Sequence, residues 1–142
     1  VYANGDVFVQ EGDGNVVKYD TFLNEVSSVS LENLSGNNGG QNIEWNPTDE
    51  VLYTEFGAGR TLYKLDTNLN TLDTASYSES SGGEHALSYF NGRLYISDAY
   101  GSYIEERDAD TLNTINSNNS EAYQLQPALP RFAIYDNNTN PV

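Results

Sequence analysis

An all-β chain built of repeated four-stranded antiparallel units is what this sequence predicts, and three observations carry the prediction. Short runs of β-branched and aromatic residues that end in an acid recur at 7–11, 51–55 and 94–98, with the acids Glu11, Glu55 and Asp98 spaced 44 and then 43 residues apart. An aspartate-headed turn follows each run at Asp20, Asp66 and Asp108. Four aromatic residues, Tyr2, Trp45, Tyr89 and Tyr135, return at one phase of the repeat. Self-similarity at a period of roughly 40–45 residues is the mark of a repeat architecture.

Each element can be read in order. The first run of each repeat is followed by a glycine-bearing turn, at 12–15, 57–60 and 100–102. A second strand-like run comes next, at 16–20, 62–66 and 103–108, so every repeat contains a hairpin. The aspartate that ends the second run opens another turn, because its carboxylate accepts hydrogen bonds from amides a few residues on. Third strands are expected near 25–31, 71–77 and 113–117. A polar loop then leads to a fourth run closing on an aromatic residue, at 42–45, 86–89 and 132–135.

Four short strands per repeat of this length is the pattern of a propeller blade, in which antiparallel sheets pack face to face around an axis. The expected fold is therefore all-β, with three four-stranded β-propeller blades forming an incomplete ring in this chain. One unit spans 1–142, with approximate repeats 1–45, 46–89 and 90–135, and 136–142 starting a further blade.

Composition narrows the function classes. The 142 residues include 21 acidic and 6 basic ones, for a formal charge of −15, and the basic residues form no cluster. Such a chain repels phosphate backbones and anionic lipid, so neither nucleic acid nor membrane insertion is expected. Cysteine is absent, which excludes disulfides, thiolate metal sites and a cysteine nucleophile. With one histidine, His85, no multi-histidine metal site can be assembled. Methionine is also absent, even at position 1, so the chain is expected to be a processed or excised portion. The expected location is extracellular or at the cell surface, with the periplasm as the alternative.

The run 94–98, followed by 105–115 with its Asp108-Ala109-Asp110-Thr111-Leu112-Asn113 turn, resembles the YVTN/YncE-like bacterial propellers, which are broadly related to NHL and SMP-30-type repeats. The resemblance covers nearly the whole chain through degenerate motifs, and it implies the fold more than any activity.

Propellers close with about 4–8 blades, whereas this chain supplies three. It is expected to begin at the tail of an innermost strand, leaving the first triplet without one, and to end on strand 131–135 with no outer partners in its own chain. An unpaired edge invites a partner. That partner is either another protein segment, as the remainder of a larger propeller, or a further copy of this chain.

Candidate site residues follow from this layout. Glu11, Glu55 and Asp98 are expected on one rim, where an acid from each blade would offer oxygen ligands to Ca²⁺ or a cationic group. The simpler reading is a set of solvated hairpin ends. The resemblance to SMP-30-like hydrolases implies a metal- or substrate-binding role for a Glu or His at a strand entrance, which singles out Glu84 and His85. Arg60 and Tyr100, in glycine-bearing turns, complete the candidate ligand-binding set. No catalytic constellation is legible and no cofactor beyond Ca²⁺ is suggested. The expected function is a secreted or cell-surface propeller module for macromolecular binding or self-assembly. A lactonase-like hydrolase or lyase with a divalent cation at the channel mouth, and a filament subunit joined by strand exchange, are the alternatives.

Overall fold

The computed structural model describes residues 1–11, 13–31, 42–56, 60–77, 85–98 and 104–118. They form twelve strands: β1 (Tyr2–Ala3), β2 (Asp6–Gln10), β3 (Asn15–Tyr19), β4 (Glu25–Ser30), β5 (Asn42–Asn46), β6 (Val51–Phe56), β7 (Thr61–Asp66), β8 (Thr71–Ser76), β9 (His85–Phe90), β10 (Arg93–Asp98), β11 (Ile104–Asp108) and β12 (Thr114–Asn118). Strands consecutive in sequence pair into three four-stranded sheets, β1–β4, β5–β8 and β9–β12. All pairings are antiparallel. These are the three blades.

The aromatic-ended run opens each sheet and pairs with the triplet that follows it: Tyr2 faces Val7, Trp45 faces Leu52 and Tyr89 faces Leu94. One expectation needs correction. The first triplet does not lack an innermost strand, since β1 pairs with β2 over two residues. The cause is local. Asn4 and Gly5 both take positive φ, at 50° and 90°, and close a two-residue turn whose twist suits a hairpin. Asn91 and Gly92, at φ 46° and 77°, make the same turn between β9 and β10. The run at 131–135 lies outside the described residues.

The aspartate turns form as the side-chain chemistry requires. Asp20 Oδ1 accepts from the amides of Phe22 and Asn24 at 2.8 and 2.9 Å, and its Oδ2 accepts from Asn24 Nδ2 at 3.0 Å. Asp66 repeats this with Asn68 and Asn70 at 2.8, 2.8 and 2.9 Å. Asp108 reaches the amides of Asp110 and Thr111 and the Thr111 hydroxyl at 3.1, 2.9 and 3.1 Å. In each turn a leucine is held left-handed, Leu23 at φ 63°, Leu69 at 66° and Leu112 at 57°. A left-handed leucine is unfavourable on its own, so the aspartate network supplies what that backbone lacks.

Two cores glue the blades together. Ala3, Phe8 and Val16 of the first blade pack with Leu52, Phe56, Leu65 and Leu69 of the second. Val51, Tyr53, Leu62 and Tyr77 of the second pack with Leu87, Leu94, Ile96, Ala109 and Leu112 of the third. Trp45 and Tyr89 lie against these cores, so the aromatic phase of the repeat serves packing. Thus the turn leucine of each following blade plugs the blade before it, Leu69 against the first and Leu112 against the second. Fully burying such a side chain contributes roughly 1.5–3 kcal/mol.

Polar contacts cross the same seams. Lys18 Nζ donates to the Thr67 carbonyl at 3.1 Å, and Lys64 Nζ donates to the Asp110 carbonyl at 3.0 Å. Tyr53 stacks on Tyr89 with ring centroids 5.8 Å apart, and its hydroxyl donates to the Ala109 carbonyl at 2.8 Å. Burial pushes the Tyr53 phenol up to about 12, partly opposed by its hydrogen bond with Asn46. At the second seam Arg107 and Glu105 form a buried ion pair at 2.8 Å, and Arg107 also donates to the carbonyls of Ser76 and Leu112, at 2.8 and 2.9 Å. The Thr114 hydroxyl bonds Glu105 as well.

The turns and the buried ion pair each carry a measurable expectation. Asp20 is held below the usual carboxylate range by the Asn24 side chain and then its amide, and Asp108 by the Thr111 amide. Burial works against Asp66, but the Asn70 side chain, the amides of Asn70 and Asn68, and the Lys18 charge together hold it low too. A lowered folded-state pKa stabilises above the unfolded value, near 3.9, and that stability is lost as pH falls through the folded values. Urea midpoints are therefore expected to fall as pH drops below about 4, with a shallower fall in Asp66→Asn. Arg107→Leu alone leaves Glu105 buried without its cation and is expected to cost roughly 3–5 kcal/mol. The double variant Glu105→Tyr with Arg107→Leu installs the side chains that β7 carries at the same register, Tyr63 and Leu65, and should recover most of that loss by the same unfolding measurement.

Candidate functional site

The rim where β2, β6 and β10 end carries most of the candidate residues. Aligning the sheets on the Tyr2–Val7, Trp45–Leu52 and Tyr89–Leu94 pairs gives each strand position its equivalent. Val7 then corresponds to Leu52 and Leu94, Gln10 to Glu55 and Ser97, and Glu11 to Phe56 and Asp98. The near-even spacing of the three acids conceals a one-residue offset. Since a strand's side chains alternate between its faces, that one-residue shift puts Glu55 on the opposite face from the position of Glu11.

Their surroundings differ accordingly. Glu55 is fully buried. The Tyr77 hydroxyl donates to its Oε2 at 2.8 Å and also lies 3.3 Å from the Phe56 carbonyl, while Asn42 Nδ2 donates to Oε1 at 3.4 Å. The Glu55 carbonyl accepts from Gln10 Nε2 of the first blade at 2.7 Å. This carboxylate therefore ties the start of β5 and the residue after β8 to the end of β6. Glu11 is exposed just past β2, its amide donating to the Asn15 carbonyl at 2.9 Å. Nearby Asp13 takes the amide and side chain of Asn15, at 3.2 and 2.7 Å, which is turn chemistry.

Asp98 and His85 face each other across β10 and β9 in the ladder, at the same end of the third blade. Their side chains, and all of Glu84 and Tyr100, lie outside the described residues. Arg60 is exposed and left-handed at φ 53°. Its amide donates to the Phe56 carbonyl at 2.9 Å and its carbonyl accepts from the Tyr77 amide at 3.1 Å, so its backbone joins the end of β6 to the residue after β8. Among the described residues, no three His, Asp or Glu side chains converge on one point that could hold a metal.

The outer faces of the end blades carry features that no sequence motif marks. Val9 is 39 % exposed, whereas its equivalents Thr54 and Ile96 are fully buried. Leu23 is 70 % exposed, against 4 % for Leu69 and 1 % for Leu112. Tyr2 and Phe22 are open on the first blade, and on the third so is Ile104, whose equivalents Val16 and Leu62 are fully buried. The apolar side chains that join blades inside the chain thus recur, uncovered, at both ends of the stack. Alternation within each strand was the signal that could have found them.

No protein-family model matches the chain, and no curated protein matches it. Solved structures do. It is similar to a chain of the mitotic checkpoint complex, with a TM-score of 0.64 and 14% identity over 81% of this chain and 34% of that one. The WD40 repeats of RRP9 give a TM-score of 0.65 at 8% identity, covering 82% of this chain and 36% of that one. BamB from Moraxella catarrhalis gives 0.61 at 14% identity, with 82% and 38% covered. Identities this low establish the fold, which is a β-propeller, and the chain spans about a third of the length of these structures.

Replacing Tyr77 by Phe removes a buried donor from Glu55. The expected cost is roughly 1–3 kcal/mol in urea unfolding, with a smaller loss when Glu55→Gln is introduced into the same background.

Proposed function

We propose that this chain is a secreted or cell-surface β-propeller module, part of a larger propeller, that serves macromolecular binding and assembly. The observation that carries the reading is the uncovered apolar face at each end of the stack, whose equivalents between blades are buried. Sheet faces of this kind bind by packing against protein, and the propeller neighbours, which include WD40 repeats and a chain of a multiprotein complex, support a protein-interaction role. The repeat pattern of β10 and β11 supports a place near the YVTN/YncE-like propellers. A net charge of −15 suits a soluble surface protein in a salty medium, and it disfavours nucleic acid as the partner.

The test is direct. The 142-residue chain is expected to enhance the fluorescence of an apolar-surface dye such as anilinonaphthalene sulfonate while keeping native near-ultraviolet dichroism. Introducing Val9→Asp, Leu23→Asp and Ile104→Asp together should abolish most of that signal. A folded chain that binds no dye would show the end faces to be covered and would overturn the reading.

A further inference from the structure

The two internal seams share a polar latch, and its chemistry states what belongs on the open face of the first blade. Lys18 and Lys64 occupy one register position, opposite Phe8 in β2 and Tyr53 in β6. The β3–β4 and β7–β8 ladders shift register just after these lysines, and the β11–β12 ladder shifts just after Glu106, so the position is equivalent in all three blades. From it each lysine reaches forward to a carbonyl in the next blade's aspartate turn, Thr67 at 3.1 Å and Asp110 at 3.0 Å. Beside each latch sits the turn leucine, Leu69 or Leu112, plugged into the same seam.

The first blade has the receiving half of this arrangement. Its turn, headed by Asp20, has the same hydrogen bonds and the same left-handed leucine as the one headed by Asp66. Its Thr21 carbonyl is the counterpart of the Thr67 carbonyl, one residue after the aspartate. Leu23 stands open where Leu69 and Leu112 are buried.

Among the described residues, the surface that a second copy would bring to that face is the outer face of its third blade. There the latch position holds Glu106, whose carboxylate has no proton to donate to a carbonyl and repels the acidic turn. The charges are reversed throughout: the first blade pairs Asp6 with Lys18 at 2.9 Å, while the third pairs Arg93 with Glu106 at 3.4 Å. Arg93 also pairs with its own blade's Asp108 at 2.9 Å.

We propose that the open face of the first blade is a docking surface for a further four-stranded propeller blade that lies outside these 142 residues. This blade carries a lysine at the Lys18/Lys64 position, donating to the Thr21 carbonyl, and it covers Val9 and Leu23. Like-charge opposition at Glu106 selects against the third blade of another copy. The inference rests on the reading of the end faces as packing surfaces, and the dye measurement tests that reading without reference to charge.

The chain itself can serve as the probe. Arg93→Val with Glu106→Lys rebuilds on the third blade the Val51 and Lys64 arrangement of the second. Sedimentation equilibrium is expected to find the parent chain monomeric. The R93V/E106K variant should self-associate roughly tenfold more tightly or better, the factor one charge-assisted hydrogen bond supplies, and adding Leu23→Asp should return it to monomer. A parent chain that associates as tightly as the variant would identify a second copy as the occupant and overturn the proposal. A variant that keeps the parent's circular dichroism and remains monomeric would show that a lysine is not what the face selects, and would overturn it too.

Discussion

The aspartate turn is the contact on which the rest of the architecture depends. A single carboxylate at Asp66 gathers two amides and an asparagine side chain, and by doing so holds Leu69 in a left-handed backbone that leucine rarely adopts. Held there, Leu69 projects into the first blade's core, while the Thr67 carbonyl is presented to Lys18. The same device recurs one blade on with Asp108, Leu112 and the Asp110 carbonyl, although that turn is one residue longer. Local hydrogen bonding and long-range packing are thus joined at one residue type. The turn is the hinge between secondary and tertiary structure.

Much of this is legible in the sequence. The strand runs, the aspartate turns and the aromatic phase lie at fixed offsets, and observed strands such as β7 and β8 fall within a residue of their expected ends. Those features are local, so sequence records them directly. Less legible is anything that depends on which face a residue occupies. Glu55 reads as the counterpart of Glu11 because both end a similar run, yet one residue of offset sends one carboxylate inside and leaves the other in water. The short strand β1 is legible only as the tail of a strand: two residues carry too little pattern to show that it pairs with the first triplet, and the Asn4–Gly5 turn decides that.

The buried pair Arg107–Glu105 is also hidden, and instructively so. In the first two blades the same positions hold Val17 with Tyr19 and Tyr63 with Leu65, so the repeat pattern predicts apolar residues there. The sequence shows instead a charged run, 105–107, inside the second strand-like run of the third repeat. Only the seam, with the Ser76 and Leu112 carbonyls waiting for a guanidinium, makes the charges sensible. The latch lysines pose the same difficulty, since a lysine on a strand looks like an exposed face until its acceptor in the next repeat is known.

Every sheet here is made of strands that follow one another in sequence, joined by turns of a few residues or by loops within the repeat. Each blade can therefore assemble from neighbouring hairpins, with little chain-closure entropy to overcome, before it meets another blade. Stability then accumulates as a linear chain of coupled units does, one increment per blade and one per seam. Three blades share two seams, so adding a single compatible unit raises the number of seams by half. In such an array cooperativity grows faster than length, and the end units are the first to fray.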